Sequence, residues 1–261
     1  MTGQGAATLD PAPSVVGYVL GLADDALVYT QRLGEWVARS PELEIDVAVG
    51  NIALDLLGQA RALLTRVGEL DGSGASEDDL AMFRDARAFR NVQLVEPPTS
   101  DFGVEMARLL VMATYQSGLY AALAGSRDPV VAGVAGKAVK EVAYHRTYAA
   151  GWVVRLGDGT TVSHDRMTAA LAVVAPYVGE LFEDDASSAL AAEAGVGVLP
   201  SSLRRPFEAS LSAVLAQATL SPADPPTWHA RGGRTGRHTE HMGLLLAELQ
   251  QVARAHPGAV W

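Results

Sequence analysis

Apolar side chains recur at alternating steps of three and four along four long stretches of this chain. Val19, Leu22, Ala26, Tyr29, Leu33 and Trp36 form the first, and Ile45, Val49, Ile52, Leu56, Ala60, Leu63, Val67 and Leu70 the second. Phe102, Met106, Leu109, Ala113, Gln116, Tyr120 and Leu123 form the third, and Val131, Ala135, Ala138, Val142, His145, Ala149, Trp152 and Leu156 the fourth. Such spacing puts each series on one face of an α-helix. No comparable run alternates strictly, so strands are minor at most. Each stretch covers about 22–27 residues, roughly 33–40 Å of helix, which suits a four-helix bundle better than an average globular helix.

The breaks between the stretches carry the chemistry of helix ends. Ser40-Pro41 separates the first two, and the stretch 71–79 (DGSGASEDD) ends the second. The segment 79–90 is expected to be helical. Pro97 and Pro98 precede the third stretch, with Ser100 or Asp101 as its N-cap, and Asp128 caps the fourth with Pro129 at the first helical position. Gly157 and Gly159 stop it. Three shorter helices follow, marked by Met167 to Leu181 with Ser163 as a cap, by Leu203 to Ala218, and by Met242 to Val252. Between the last two lies the longest expected loop, 221–236, rich in proline and glycine, a feature that is often functional. The acidic stretch Glu180 to Asp185 is expected to face solvent. The expectation is therefore an all-α protein: a four-helix bundle of long antiparallel helices with additional shorter C-terminal helices. It fills residues 15–261 as one domain, behind a flexible N-terminus over 1–14.

Composition narrows the function. The 261 residues are 49% hydrophobic and carry a net charge of −10, so a sizeable core is available and nucleic acid is a poor partner. There is no cysteine, which excludes disulfides, thiolate zinc sites and iron–sulfur clusters in this chain and fits a cytoplasmic address. The first residues have neither a basic nor an apolar region of a signal peptide, and no uncharged apolar run approaches about 20 residues, so no membrane span is expected.

Long antiparallel helices suggest one kind of active site, a di-iron centre with carboxylates on two helices and Glu-x-x-His on the other two. Residues three apart share a face, so the glutamate bridges two metals while the histidine binds one. Here the fourth stripe holds His145, but the residue three before it is Val142. Glu141 is rotated about 100° out of phase. The third stripe carries Gln116, a weak ligand, and the second helix has Asp55 followed by Gly58 where a histidine would stand, with Gln59 beside it. Asp24, Gln31 and Glu35 lie on one side of the first helix, as a solvated face, a buried polar network or a contact between subunits. These positions form a degenerate metal site, and no complete di-metal site is expected. A second cluster, Arg231, Arg234, Arg237 and His238, sits among glycines before the last helix and suits an anion or a partner subunit.

Several blocks are similar to one family. They are 29–36 (YTQRLGEW), 40–46 (SPELEID), 51–61 (NIALDLLGQAR), Phe83-Arg-Asp, 91–96 (NVQLVE), 126–129 (SRDP), 137–145 (KAVKEVAYH) and 236–243 (GRHTEHMG). Together they resemble the PaaC family, the C subunits of bacterial phenylacetyl-CoA epoxidases, over residues 15–261. The resemblance implies a ferritin-like fold. It implies membership of a multicomponent oxygenase that inserts one oxygen atom from O2 across the ring of phenylacetyl-CoA, giving a ring 1,2-epoxide in aerobic phenylacetate catabolism. It places the di-iron centre in a homologous catalytic partner, the PaaA type, and makes the PaaC type structural and non-catalytic. A further small protein, the PaaB type, and a reductase with flavin and iron–sulfur groups complete the complex. Glu44, Ile45, Asp46 and Val47 match a family block associated with substrate contact, although acids in a first helical turn also simply suit the helix dipole. Two other readings stay open at this point: a self-sufficient di-iron oxidase or iron-binding bundle using Asp24, Asp55, Glu141 and His145, and a module binding coenzyme A through the arginine loop. The isolated chain can also pair with itself as a homodimer.

Overall fold

A computed structural model describes residues 14–259; the N-terminal segment expected to be flexible lies, apart from Ser14, outside the described residues. Nine α-helices occur among them: α1 (Val15–Trp36), α2 (Leu43–Leu70), α3 (Glu77–Met82), α4 (Phe102–Leu123), α5 (Pro129–Gly157), α6 (Thr161–Val178), α7 (Ala186–Glu193), α8 (Arg204–Gln217) and α9 (His241–Ala255). No strand occurs among the described residues. α1, α2, α4 and α5 are the four long helices, and their stripes form the core. Leu33, Ile52, Leu56, Leu63, Met106 and Leu109 are all less than 2% exposed, and each such side chain stabilises the fold by about 1.5–3 kcal/mol.

The direction of the helices follows from who meets whom. α1 packs on α2, and α4 on α5, across short connections. α2 meets α5 through Asp55 with His145, Gln59 with Glu141 and Arg66 with Asp128, so one index rises as the other falls and the pair is antiparallel. α2 and α4 must then run the same way. Residues 71–101 make that long crossover, the connectivity of ferritin-like bundles.

Buried acids of α1 hold the crossover. The Asp24 carboxylate is fully buried and accepts from Arg84 Nη1 at 2.9 Å and from the Arg90 amide at 2.8 Å. Its neighbour Asp25 accepts from the Val92 amide at 2.8 Å. Backbone donors of the crossover thus find side-chain acceptors instead of helical carbonyls. The segment expected to be helical over 79–90 stops at Met82 and continues only as a short 3-10 turn at Ala86–Ala88, and Arg84 Nε takes the Leu80 carbonyl that a longer helix would use.

Helix ends largely follow the expected caps. Asp101 accepts from the Gly103 amide at 2.7 Å, and Asp128 from the Val130 and Val131 amides at 2.9 and 3.1 Å with Pro129 first in the helix. The cap of α6 is Thr160 rather than Ser163, which supplies the reciprocal half of a capping box. The 180–185 stretch also departs from expectation. Glu180 is 3% exposed, with Leu181 and Phe182 buried beside it, and it accepts from the Gln93 and Gly233 amides at 2.6 and 2.7 Å. Burial pushes its carboxyl above the usual range, and those two amides pull the other way. α2 is long and apolar enough by length and composition to cross a membrane, yet half of its most apolar window is buried inside the bundle, as in a core helix.

Candidate functional site

The facing sides of α2 and α5 carry a polar cluster at the place where a bundle of this kind would hold metal. His145 is fully buried and its Nε2 lies 3.0 Å from Asp55 Oδ2. One helical turn away, Gln59 Nε2 donates to Glu141 Oε2 at 3.0 Å, and Gln59 Oε1 accepts from the Tyr120 hydroxyl of α4 at 2.8 Å. The other Glu141 oxygen lies 3.0 Å from Lys137 Nζ, one turn back on α5. The same ammonium stands over Gly58, 3.8 Å from where a Cβ would be. Each acid in the cluster therefore already has a partner of opposite or complementary character.

Burial lowers the pKa of His145 from its ordinary 6.5, and the hydrogen bond to Asp55 works in the opposite direction. A neutral ring donating from Nε2 to Asp55 leaves Nδ1 as a buried acceptor, without a hydrogen-bond partner among the described residues. The unfolded chain takes up this proton at higher pH than the folded one, so stability is lost as pH falls through 6.5. We expect the urea midpoint to drop between about pH 7.5 and 5.5, and to drop less in His145→Gln, which keeps a donor but cannot titrate. Equal slopes in the two proteins would contradict the assignment.

The donor set does not fit a di-iron centre. Val142, the residue three before His145, is fully buried and offers no ligand atom, and the side-chain oxygens of Glu141 point into the pairings just described. Among the described residues no group of three or more His, Asp or Glu is arranged to hold a metal ion. Asp24 lies outside the cluster, bound to the crossover by Arg84. Gln116 is buried on α4 and takes no part in these bonds. What reading the sequence missed is Lys137. Its spacing of four from Glu141, and its being one of only two lysines in the chain, was the available signal.

The structure separates the members of the arginine cluster. Arg234 reaches back to α1, donating to both Asp25 oxygens at 3.0 and 2.7 Å and to the Gly21 and Arg90 carbonyls, each at 2.9 Å. Burial works against its charge, but Asp25, Tyr115 and Glu180 together raise its pKa. Asp25 itself is pushed up by burial and pulled back by Arg234. His238 Nδ1 lies 2.7 Å from Glu96 Oε1, and the Thr239 amide donates to Glu96 Oε2 at 2.6 Å. Arg231 is exposed and lies 3.5 Å from Glu183, whereas Arg237 is exposed and its guanidinium has no acidic partner among the described residues. The loop is thus riveted at Arg234 and His238, and projects Arg231 and Arg237. At the start of α2, Ile45 is buried in the core, Glu44 and Val47 are exposed, and Asp46 accepts from the Ser40 amide at 3.3 Å.

Residues 5–261 match the family described as phenylacetic acid catabolic protein, PaaA/PaaC. The chain belongs to this family. One relative, the C-type component of the 1,2-phenylacetyl-CoA epoxidase of Escherichia coli (strain K12), is 43% identical over 247 residues, covering 95% of this chain and 99% of the relative. For this member of the PaaA/PaaC family, the all-α bundle with its long crossover agrees with the ferritin-like fold expected from the sequence blocks.

Proposed function

We propose that this chain is the scaffolding, non-catalytic member of a 1,2-phenylacetyl-CoA epoxidase complex acting in the cytoplasm in phenylacetate catabolism. Its partner is a homologous protein that carries the di-iron centre, with a further small protein and a flavin and iron–sulfur reductase supplying electrons. The observation that carries this reading is Val142 in the bridging position beside the closed Lys137–Glu141–Gln59–Tyr120 chain of contacts. The place of a metal is taken by an ammonium–carboxylate pair, which needs no iron to balance its charge. The full-length likeness to a relative named as the C-type component supports the place in the complex.

The surface of α2 adds support. Leu43, Val47 and Leu54 are 73, 57 and 64% exposed and fall on one helical stripe. Gly50 and Gly58 lie along the same side. A stripe of large apolar residues interrupted by glycines lets another long helix approach closely, as obligate interfaces between helical proteins require. The chain is expected to co-purify with the homologous iron-containing partner. Ring epoxidation is expected only when that partner and the reductase are both present. O2-dependent turnover of phenylacetyl-CoA by the isolated chain would overturn the proposal.

A further inference from the structure

A cavity of about 310 Å³ lies between α4, α6, the end of the crossover and the 221–236 loop. Leu94 lines it from the crossover, Val104 from α4 and Val174 from α6. Tyr177 of α6 and Trp228 of the loop add two rings, packed edge to face with centroids 5.2 Å apart. The loop is tied there by the Ala230 amide, which donates to the Pro176 carbonyl at 3.0 Å. Trp228 is exposed, so it stands at the mouth of the cavity.

One charged residue lines this apolar space, Arg108 of α4, and it is 3% exposed. Its Nη1 is buried without a hydrogen-bond partner among the described residues. Its carboxylate neighbour, Glu105 Oε2, stands 3.6 Å away, too far for a hydrogen bond. Glu105 has donors of its own: Oε1 accepts from the Tyr29 hydroxyl at 2.8 Å and Oε2 from the Thr99 hydroxyl. The other buried guanidiniums of Arg32 and Arg84 grip carboxylates at 2.7 and 2.5 Å. Burial raises the pKa of Tyr177 and the Arg108 charge works against it, so the field of the guanidinium reaches the aromatic wall. A buried charged donor left unmet is costly, and what this site lacks is an acceptor arriving from the cavity.

Three features select that acceptor. A guanidinium is matched best by a carboxylate. The two rings favour an aromatic body over an alkyl chain. The volume falls at the small end of the range of about 300–1,000 Å³ for small-molecule sites, which suits a single ring.

We propose that this cavity binds a small aromatic monocarboxylic acid, its ring against Tyr177 and Trp228 and its carboxylate on Arg108. The proposal is independent of the scaffold reading, and its test needs neither iron nor a partner chain. In calorimetric titration of the full-length chain at neutral pH, where the acids are ionised, benzoate and phenylacetate are expected to bind with Kd of about 1 mM or tighter. Benzamide keeps the ring without the charge and acetate the charge without the ring, and both are expected to bind about tenfold more weakly or worse. Trp228→Ala and Val173→Glu alter exposed side chains that line the cavity, so the unfolding curve is expected to stay in place while benzoate affinity falls about tenfold. Arg108→Gln alone strands the buried Glu105 charge, so Glu105→Gln/Arg108→Gln is made as well; it is expected to bind benzoate no better than benzamide. No benzoate binding at ~10 mM, equal affinity of the unaltered chain for benzoate and benzamide, or unchanged benzoate affinity in Trp228→Ala and Val173→Glu would overturn the proposal.

Discussion

Val142→Glu is expected to destabilise the isolated chain by about 3–5 kcal/mol, the range for a buried charge left without a counterion. The substitution restores the acid that a bridging ligand would require, at a position with no exposure to solvent. In a true metal site a cation would offset the cost of its burial. Here His145 Nε2 is already engaged with Asp55, and the nearby ammonium of Lys137 is engaged with Glu141. Urea unfolding in the presence and absence of ferrous iron measures the effect. Val142→Gln, equal in size to the glutamate but uncharged, separates volume from charge and is expected to cost less. A change below about 1 kcal/mol for the glutamate would contradict the cost assigned to the buried charge, and full recovery on adding iron would show that the site still accepts a metal.

Arg84→Ala is the second large effect. It strands Asp24, a fully buried carboxylate, with the Arg90 amide as its remaining donor, and removes the guanidinium stacked 4.1 Å above the Phe89 ring. Breaking a buried pair from one side costs about 3–5 kcal/mol. The loss should be concentrated in the crossover, visible as faster amide exchange and proteolysis within 83–96. Arg61→Ala, which breaks an exposed pair with Glu77, is expected to leave the unfolding curve in place. Indistinguishable curves for the two variants would contradict the role given to Asp24.

The Asp24–Arg84 pair also shows where sequence reading stops. Each long helix was legible because its signal is local: a stripe repeats every three or four residues and ends at a proline, a glycine or a capping acid. Asp24 sits in such a helix, and its spacing to other acids invited a metal-ligand reading. Its partner lies 60 positions further on, in a segment with no periodicity. Arg234 and Asp25 are 209 positions apart, so nothing local announced that one arginine of the loop is structural while Arg237 remains uncommitted. The acidic run around Glu180 reads as solvent-facing, yet Glu180 is the acceptor on which two separate loops close. That no acid stands three residues before His145 is legible from spacing alone, whereas the lysine paired with Glu141 gains meaning only when α2 and α5 are seen face to face.

Metal analysis tests the central claim most directly. The chain is to be purified from iron-replete cells, alone and together with its homologous partner, and the iron in each preparation counted. The account predicts substoichiometric iron in the isolated chain and about two iron atoms for each partner molecule in the joint preparation. About two tightly held iron atoms in the isolated chain would contradict it.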